Sequence, residues 1–165
     1  MTYSVRPATR DDLAQITDIY NHYVTETTAT FDLHPFRPAD REQWFSQFEG
    51  RQPHLLLVAE FEGQILGYAS STRFRSKPAY DRTVEVTVYL RSGHTAEGLG
   101  SALYQALFEQ LSKYQVHRYI AVITLPNEPS LALHEKFGFR QIGTLSEVGF
   151  KFDRYWDTAW LEKLS

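Results

Sequence analysis

One segment of the chain brings a carboxylate and a candidate anion site close together. Residues 84–102 read VEVTVYLRSGHTAEGLGSA: an alternating strand with Glu85 among valines, then a glycine-containing turn that opens a helix. The first helical turn has unpaired backbone N–H groups and the positive end of the helix dipole, so it can hold a phosphate. A partly buried carboxylate can serve as a general base. The segment therefore predicts chemistry beside a phosphate site, not binding alone.

Two familiar nucleotide sites do not fit this turn. It lacks the lysine of a Walker motif. A dinucleotide fingerprint needs a third glycine near position 103, which is Leu103, and an acid at the end of the next strand, which ends in Leu125 and Pro126. The remaining interpretations are a phosphate held by backbone amides and an ordinary tight turn.

Composition limits the class of protein. The chain has 165 residues, 42% hydrophobic and 15% aromatic, and predicts one folded domain over residues 1–165. A net charge of −3 gives no basic face for nucleic acid. The longest aliphatic run, Leu55 to Ala59, is too short to span a bilayer, and the N-terminus lacks an apolar signal segment. We expect a cytoplasmic protein without nucleic-acid or membrane partners.

Metal sites are also disfavoured by the sequence. Without cysteine there is no thiolate site, disulfide or cysteine nucleophile. His134 and Glu135 resemble the start of a zinc motif, but Gly138 occupies the position of the second histidine. We expect no metal.

Hydrophobic spacing predicts an α/β fold with a mixed sheet, because strands occur both consecutively and between helices. The predicted strands cover residues 5–8, 55–61, 65–72, 84–90, 119–125, 139–143, 149–152 and 158–161. The predicted helices cover residues 13–24, 40–48, 99–111 and a segment that ends at Gly138. In the strand at 84–90 the aliphatic residues share one face, and Glu85 lies on the other.

Two motifs in order, GLGSAL at 98–103 and PNEPSLALHEKFGF at 126–139, resemble the GNAT superfamily of N-acetyltransferases along nearly the whole chain. Further segments are similar to its phosphinothricin and methionine sulfoximine acetyltransferase branch. They are residues 20–22, 68–70, 79–81, 83–85, 88–89, 130, 133–134, 138–139 and 148–152. The resemblance implies a GNAT-like, mostly antiparallel sheet of about six or seven strands. It also implies acetylation of the α-amino group of a small amino acid or analogue.

The resemblance further implies how acetyl-CoA is held. Backbone at Val88, Tyr89 and Leu90 would pair with the pantetheine arm, and Asn127 would hold its far side. The pyrophosphate would be bound by amides of Glu97, Gly98, Leu99, Gly100, Ser101 and Ala102. Thr95 departs from the usual family pattern, and the acidic Glu97 is predicted to contribute only its backbone, with Arg91 or His94 offsetting its charge.

Two residues are candidates for proton transfer. Glu85 is the predicted base for the amine, and the alternative is a structural carboxylate paired with Arg82 or Arg73. His134 is predicted to protonate the leaving thiolate or to relay through water to Glu85, and the alternative is a half-buried structural histidine. The thioester oxyanion is expected to meet a backbone N–H near Val88.

Substrate binding is assigned to a basic and aromatic set. Arg73 and Arg75 are predicted to hold the α-carboxylate, since arginine binds carboxylates bidentately. Phe31, Phe74 and Tyr80 are predicted to line the pocket, although aromatic residues here are equally compatible with the core.

The predicted function is therefore direct acetyl transfer from acetyl-CoA to a small amino-acid-like amine. The alternatives are another acceptor, such as a protein N-terminus, a polyamine or an aminoglycoside, and a non-catalytic acyl-CoA-binding module. A homodimer is expected because dimers are common in this branch, with Trp156 and Trp160 either in the interface or in the core.

Overall fold

The structure is a computed structural model that describes residues 3–94 and 98–165. In these residues seven strands form one sheet, and four α-helices flank it. The strands are β1 (Ser4–Pro7), β2 (Leu55–Phe61), β3 (Gln64–Arg73), β4 (Thr83–Leu90), β5 (Arg118–Thr124), β6 (Arg140–Lys151) and β7 (Arg154–Leu164). The helices are α1 (Leu13–Glu26), α2 (Glu42–Ser46), α3 (Leu99–Leu111) and α4 (Glu128–Lys136). No helix in these residues is both long and apolar enough to cross a membrane.

The sheet is mixed and mostly antiparallel, which confirms the predicted fold class. Its strand order is β1-β2-β3-β4-β5-β7-β6, and β4 with β5 is the parallel pair in the described sheet. That pairing covers Thr83 to Glu85 of β4 and Arg118 to Ile120 of β5. Beyond it the two strands separate, so the sheet opens at its centre.

The two faces of the sheet bury separate hydrophobic cores. On one face α3 buries Leu103 and Leu107 against Val84 and Val86 of β4. On the other face α1 and α2 bury Ile16 and Phe45 with residues of β2 and β3. Because side chains alternate along a strand, Glu85 points to the α1 side, away from the aliphatic core under α3. The predicted alternation of β4 is confirmed.

Two glycines lie at turns with a positive φ. Gly63, in the turn between β2 and β3, has φ +80°, and Gly138, just after α4, has φ +85°. Both lie in the left-handed region, which glycine enters without steric cost.

The C-terminal part of the predicted sheet is wrong in detail. The three short strands expected at 139–143, 149–152 and 158–161 are two long strands, β6 and β7. A register shift between Leu145 and Gly149, with Glu147 at φ +52°, interrupts the regular alternation that the sequence reading required. The turn between them uses Phe152 and Asp153 at positive φ, without a glycine to mark it. The helix predicted at 40–48 is a 3-10 turn, Pro38–Arg41, followed by α2.

Candidate active site

The separation of β4 from β5 creates a cleft of about 560 Å³. Its walls are residues 86–90 of β4 and 121–124 of β5, which do not pair with each other, together with the N-terminal turns of α3 and α4. Tyr23 of α1 and Ala29 of the following loop close one side. The cleft therefore joins the turn before α3, the predicted phosphate site, to His134, and it begins one residue after Glu85.

The turn before α3 has the geometry of an anion site. Gly98 is the N-cap residue in the left-handed conformation, with φ +73°. The amide of Ala102 already donates to Gly98 O at 3.1 Å, so the helix leaves the amides of Leu99, Gly100 and Ser101 without an intrahelical acceptor. Only the backbone of Leu99 is available to a ligand, because its side chain is buried in the core.

The start of α3 is closely packed by α4. A Cβ at Gly100 would lie 3.3 Å from Cδ2 of Leu133, so α4 packs closely on the start of α3. Arg91, one of two residues predicted to offset the charge of Glu97, donates from Nε to Ile65 O at 2.7 Å. The predictions for Thr95 and Glu97 lie outside the described residues.

Tyr23 occupies part of the edge of β4 that faces the cleft. Tyr23 Oη donates to Leu90 O at 2.7 Å and accepts from Leu90 N at 3.2 Å. Arg91 N donates to Leu66 O of β3. In an antiparallel ladder the backbone groups of successive residues point alternately to one neighbour and to the other. The backbone of Tyr89 therefore faces β3, and that of Val88 faces the cleft. Of the three residues predicted to pair with pantetheine, Val88 has backbone groups directed at the cleft and unclaimed by β3 or Tyr23.

Asn127 lines the cleft as the N-cap of α4. Its Oδ1 accepts from Ser130 N at 3.2 Å, which fixes the side chain at the mouth of the helix. The side-chain amide nitrogen points away from this bond and is the group that can face a ligand.

Glu85 occupies the last position where β4 pairs with β5, one residue before the segment that lines the cleft. Burial raises the pKa of its carboxyl, and the positive charge of Arg75 acts in the opposite direction. The structural alternative through Arg73 is not what the structure has, because Arg73 pairs with Asp81 at 3.1 Å. Glu85 is a desolvated carboxylate beside one cation, which suits a base that titrates above the usual range.

His134 is buried, with 3% of its surface exposed, and both ring nitrogens are engaged. Nδ1 lies 2.7 Å from Ser130 O, and Nε2 lies 2.8 Å from Tyr104 Oη. A carbonyl oxygen only accepts, so Nδ1 carries a proton, and the Nε2 of a neutral imidazole accepts from Tyr104. Burial lowers the pKa of His134 and favours this neutral form.

Tyr104 is a site residue that the sequence reading missed. It lies on α3, is fully buried and lines the cleft beside His134. Leu103 and Leu107 on the same helix are core residues, and an aromatic residue between them is equally compatible with the core. Its hydroxyl among aliphatic residues is the signal that could have identified it.

The predicted substrate residues fall into two groups. Phe74 and Tyr80 meet edge to face at 5.7 Å, and the Arg75 guanidinium lies 5.1 Å from the Phe74 ring centre. The positive charge of Arg75 also lowers the pKa of Glu85, which links this group to the predicted base. Phe31 packs against Gly149 of β6.

Comparison with known proteins agrees with this geometry. A family model described as an acetyltransferase (GNAT) domain matches residues 5–160. The chain is 50% identical over 161 residues to a phosphinothricin N-acetyltransferase of Streptomyces coelicolor, covering 96% of this chain and 94% of that protein. It is 37% identical over 163 residues to an L-methionine sulfoximine/L-methionine sulfone acetyltransferase of Pseudomonas paraeruginosa, covering 98% and 94%.

A solved structure extends the comparison to three dimensions. It is a GNAT superfamily phosphinothricin acetyltransferase from Sinorhizobium meliloti in complex with acetyl-CoA. It superposes with a TM-score of 0.93 at 34% identity, covering 99% of this chain and 89% of that one. Sequence, fold and cleft lead to one assignment: the chain belongs to the GNAT family of acetyltransferases.

Proposed function

We propose that this acetyltransferase transfers the acetyl group of acetyl-CoA to the α-amine of a small amino acid or analogue of the phosphinothricin and methionine sulfoximine type. The observation that carries the proposal is the position of Glu85, half-buried at the last residue pair of the β4–β5 ladder, directly before the cleft, with the positive charge of Arg75 acting on it. The acceptors named for the relatives support the substrate class.

Acetyl-CoA is held by backbone more than by side-chain charge. The free amides of Leu99, Gly100 and Ser101 meet the pyrophosphate at the positive end of α3. Val88 supplies the backbone that pairs with the pantetheine arm, and its N–H donates to the thioester oxygen as negative charge develops there. Asn127 holds the other side of the arm from α4.

Glu85 accepts the proton that the acceptor amine must lose. An α-ammonium group is mostly protonated at neutral pH and cannot attack a thioester until the proton is removed. Arg75 binds the α-carboxylate of the same acceptor, which places its amine beside Glu85. Phe74 and Tyr80 form the apolar surface next to that carboxylate.

His134 and Tyr104 together supply the proton for the leaving thiolate. Burial makes the protonated form of His134 the minor one; in that form Nε2–H donates to Tyr104 Oη, and the hydroxyl proton of Tyr104 becomes free to point into the cleft. As the C–S bond breaks with its electron pair going to sulfur, Tyr104 passes its proton to sulfur and takes the Nε2 proton of His134. The acceptor nitrogen, which has already given one proton to Glu85, loses a second to solvent on becoming an amide, and the neutral His134 takes up a proton from solvent before the next turnover.

A thiol-release assay tests the proposal with L-phosphinothricin, L-methionine sulfoximine, spermidine, an aminoglycoside and a peptide with a free N-terminus. The expected result is turnover with the first two and a large loss of kcat in Glu85→Gln with little change in acetyl-CoA binding. Turnover confined to the polyamine, aminoglycoside or peptide would replace the acceptor class. Acetyl-CoA binding without turnover on any amine would favour the non-catalytic module.

A second copy of the chain is the proposed protein partner. β6 is an edge strand of the sheet, and it exposes the large apolar side chains of Ile142, Val148 and Phe150. Two identical edge strands can pair about a twofold axis and remove this surface from water. Sedimentation should give twice the mass of the chain, and Val148→Asp should give the single mass. We infer a cytoplasmic location, because the reaction consumes acetyl-CoA made within the cell.

A further inference from the structure

The loop that follows α1, residues 27–37, lies on the acceptor side of the cleft. Its Ala29 lines the cleft together with Tyr23. At the base of the loop, the ring of Tyr20 packs edge to face on Tyr89, 5.3 Å away, and Tyr89 shares its sheet face with Glu85. We call residues 27–37 the acceptor loop.

Gly149 of β6 gives the acceptor loop a place to dock. A Cβ at position 149 would lie 2.2 Å from two ring carbons of Phe31, far inside contact distance. The backbone of Gly149 is not in the left-handed region, so the requirement for glycine is steric and not conformational. The register shift that precedes Gly149 on β6 sets the position of this contact.

Lys151, two residues further along β6, binds the backbone of the same loop through its side chain. Its side chain is buried, and Nζ donates to Thr30 O at 2.8 Å and to Tyr23 O at 3.4 Å. Tyr23 O belongs to the last turn of α1, where a cation is favoured by the helix dipole. From the opposite side Tyr20 Oη bonds Thr30 Oγ1 at 2.7 Å. The residue next to Phe31 is therefore fixed from two directions.

We propose that Gly149 and Lys151 are specificity-determining residues that seat Phe31 as a rigid wall of the acceptor pocket and so limit the bulk of the amino-acid side chain admitted. The inference rests on the proposed function for the identity of the acceptor. Neither residue touches the reacting atoms, and both act through the position of Phe31. Displacing the Phe31 ring widens the pocket, so bulkier side chains gain relative to small ones.

Gly149→Ala tests the seat, and Gly143→Ala is its matched control. Gly143 lies on the same strand, and a Cβ there would meet nothing within 4 Å. The substrates are L-methionine sulfone and its S-butyl homologue. In Gly149→Ala the ratio of kcat/KM for the butyl to the methyl sulfone should rise by roughly tenfold, the scale on which an apolar pocket distinguishes small changes in size. The KM for acetyl-CoA should stay within about twofold, and Gly143→Ala should resemble the wild type.

Two further variants separate seating from general damage. Lys151→Met keeps most of the length of the side chain but removes the donor to Thr30 O, so backbone amides of residues 27–37 should exchange hydrogen faster, as in Gly149→Ala. Phe31→Ala should change the sulfone ratio by itself. Adding Gly149→Ala to Phe31→Ala should then change it no further, because the clashing ring is gone.

The outcomes distinguish this inference from the function on which it rests. An unchanged sulfone ratio in Gly149→Ala, or an equal loss on both sulfones, overturns the role in specificity. Unchanged exchange of residues 27–37 in Gly149→Ala and Lys151→Met overturns the seat itself. Faster loop exchange in a protein whose wild type acetylates no amino acid would overturn the proposed function and the role in specificity, and would support the seat.

Discussion

Removing the hydroxyl of Tyr104 tests the proposed proton path most directly. Tyr104→Phe keeps the ring and its packing against Phe108 and Phe137, at 5.3 and 5.6 Å. What it deletes is the 2.8 Å hydrogen bond to His134 Nε2 inside a site where both residues are buried. The substitution therefore changes one polar contact and almost no volume.

The size of the effect on stability follows from leaving Nε2 buried without a donor. An unsatisfied buried polar atom costs about 1–3 kcal/mol, and a domain of this length loses about 2–4 °C of Tm per kcal/mol, so Tm should fall by roughly 2–12 °C. Tyr119→Phe is the control, since Tyr119 packs on Phe108 in the same core and its hydroxyl has no bond within residues 3–94 and 98–165. Its Tm should change little.

The effect on catalysis separates a proton donor from a structural bond. If Tyr104 passes the proton to sulfur, kcat should fall on the order of 10²-fold while the KM for acetyl-CoA stays within about twofold. Thermal unfolding and thiol release at saturating substrate measure the two effects. A kcat within twofold of the wild type would refute the path through Tyr104, and a Tm equal to that of Tyr119→Phe would refute the buried bond.

Three further substitutions test the rest of the site. Glu85→Gln should abolish the acid limb of the profile of kcat/KM against pH. In the wild type this limb should lie above the ordinary glutamate range, because burial raises the pKa of Glu85. A wild-type profile that is flat through this pH range would show that Glu85 is not the base. Arg75→Ala should move that limb to higher pH, because it removes the positive charge that lowers the pKa of Glu85, and should raise the acceptor KM; an unmoved limb would contradict the pairing. Gly67→Ala should cost about 1–3 kcal/mol, measured by denaturant unfolding, because its Cβ would lie 2.9 Å from Tyr89 O, a backbone atom that cannot turn aside; stability equal to the wild type would show that β4 can shift.

The order of elements could be predicted from the sequence because local patterns determine it. The alternation through residues 84–90, the apolar spacing of α3 and the glycine after α4 each depend on neighbours a few residues away. The face on which Glu85 lies follows from the same parity. These features survive in the structure with changes of one or two residues at their ends.

Contacts between distant segments could not be predicted in this way. The sequence offers no pattern that joins Phe31 to Gly149, or Tyr23 to the backbone of Leu90. Leu90 shows the consequence: the family resemblance implied a pantetheine contact for its backbone, whereas Tyr23 holds both of its backbone groups. The hydrogen bonding of His134 likewise depends on Tyr104, a partner on another helix.

The pairing of β4 explains how one strand could carry both the proposed base and part of the proposed acetyl-CoA site. At Glu85 the strand has neighbours on both edges, Thr72 of β3 and Ile120 of β5, so the backbone that bears the carboxylate is held by two ladders. From Val86 onward the β5 ladder ends and one edge is released to the cleft. A fixed base and a free edge therefore follow one another along the strand, and moving the point of separation by one residue would sacrifice one of them. The position at which β4 and β5 part is for this reason as much a part of the site as the side chain of Glu85.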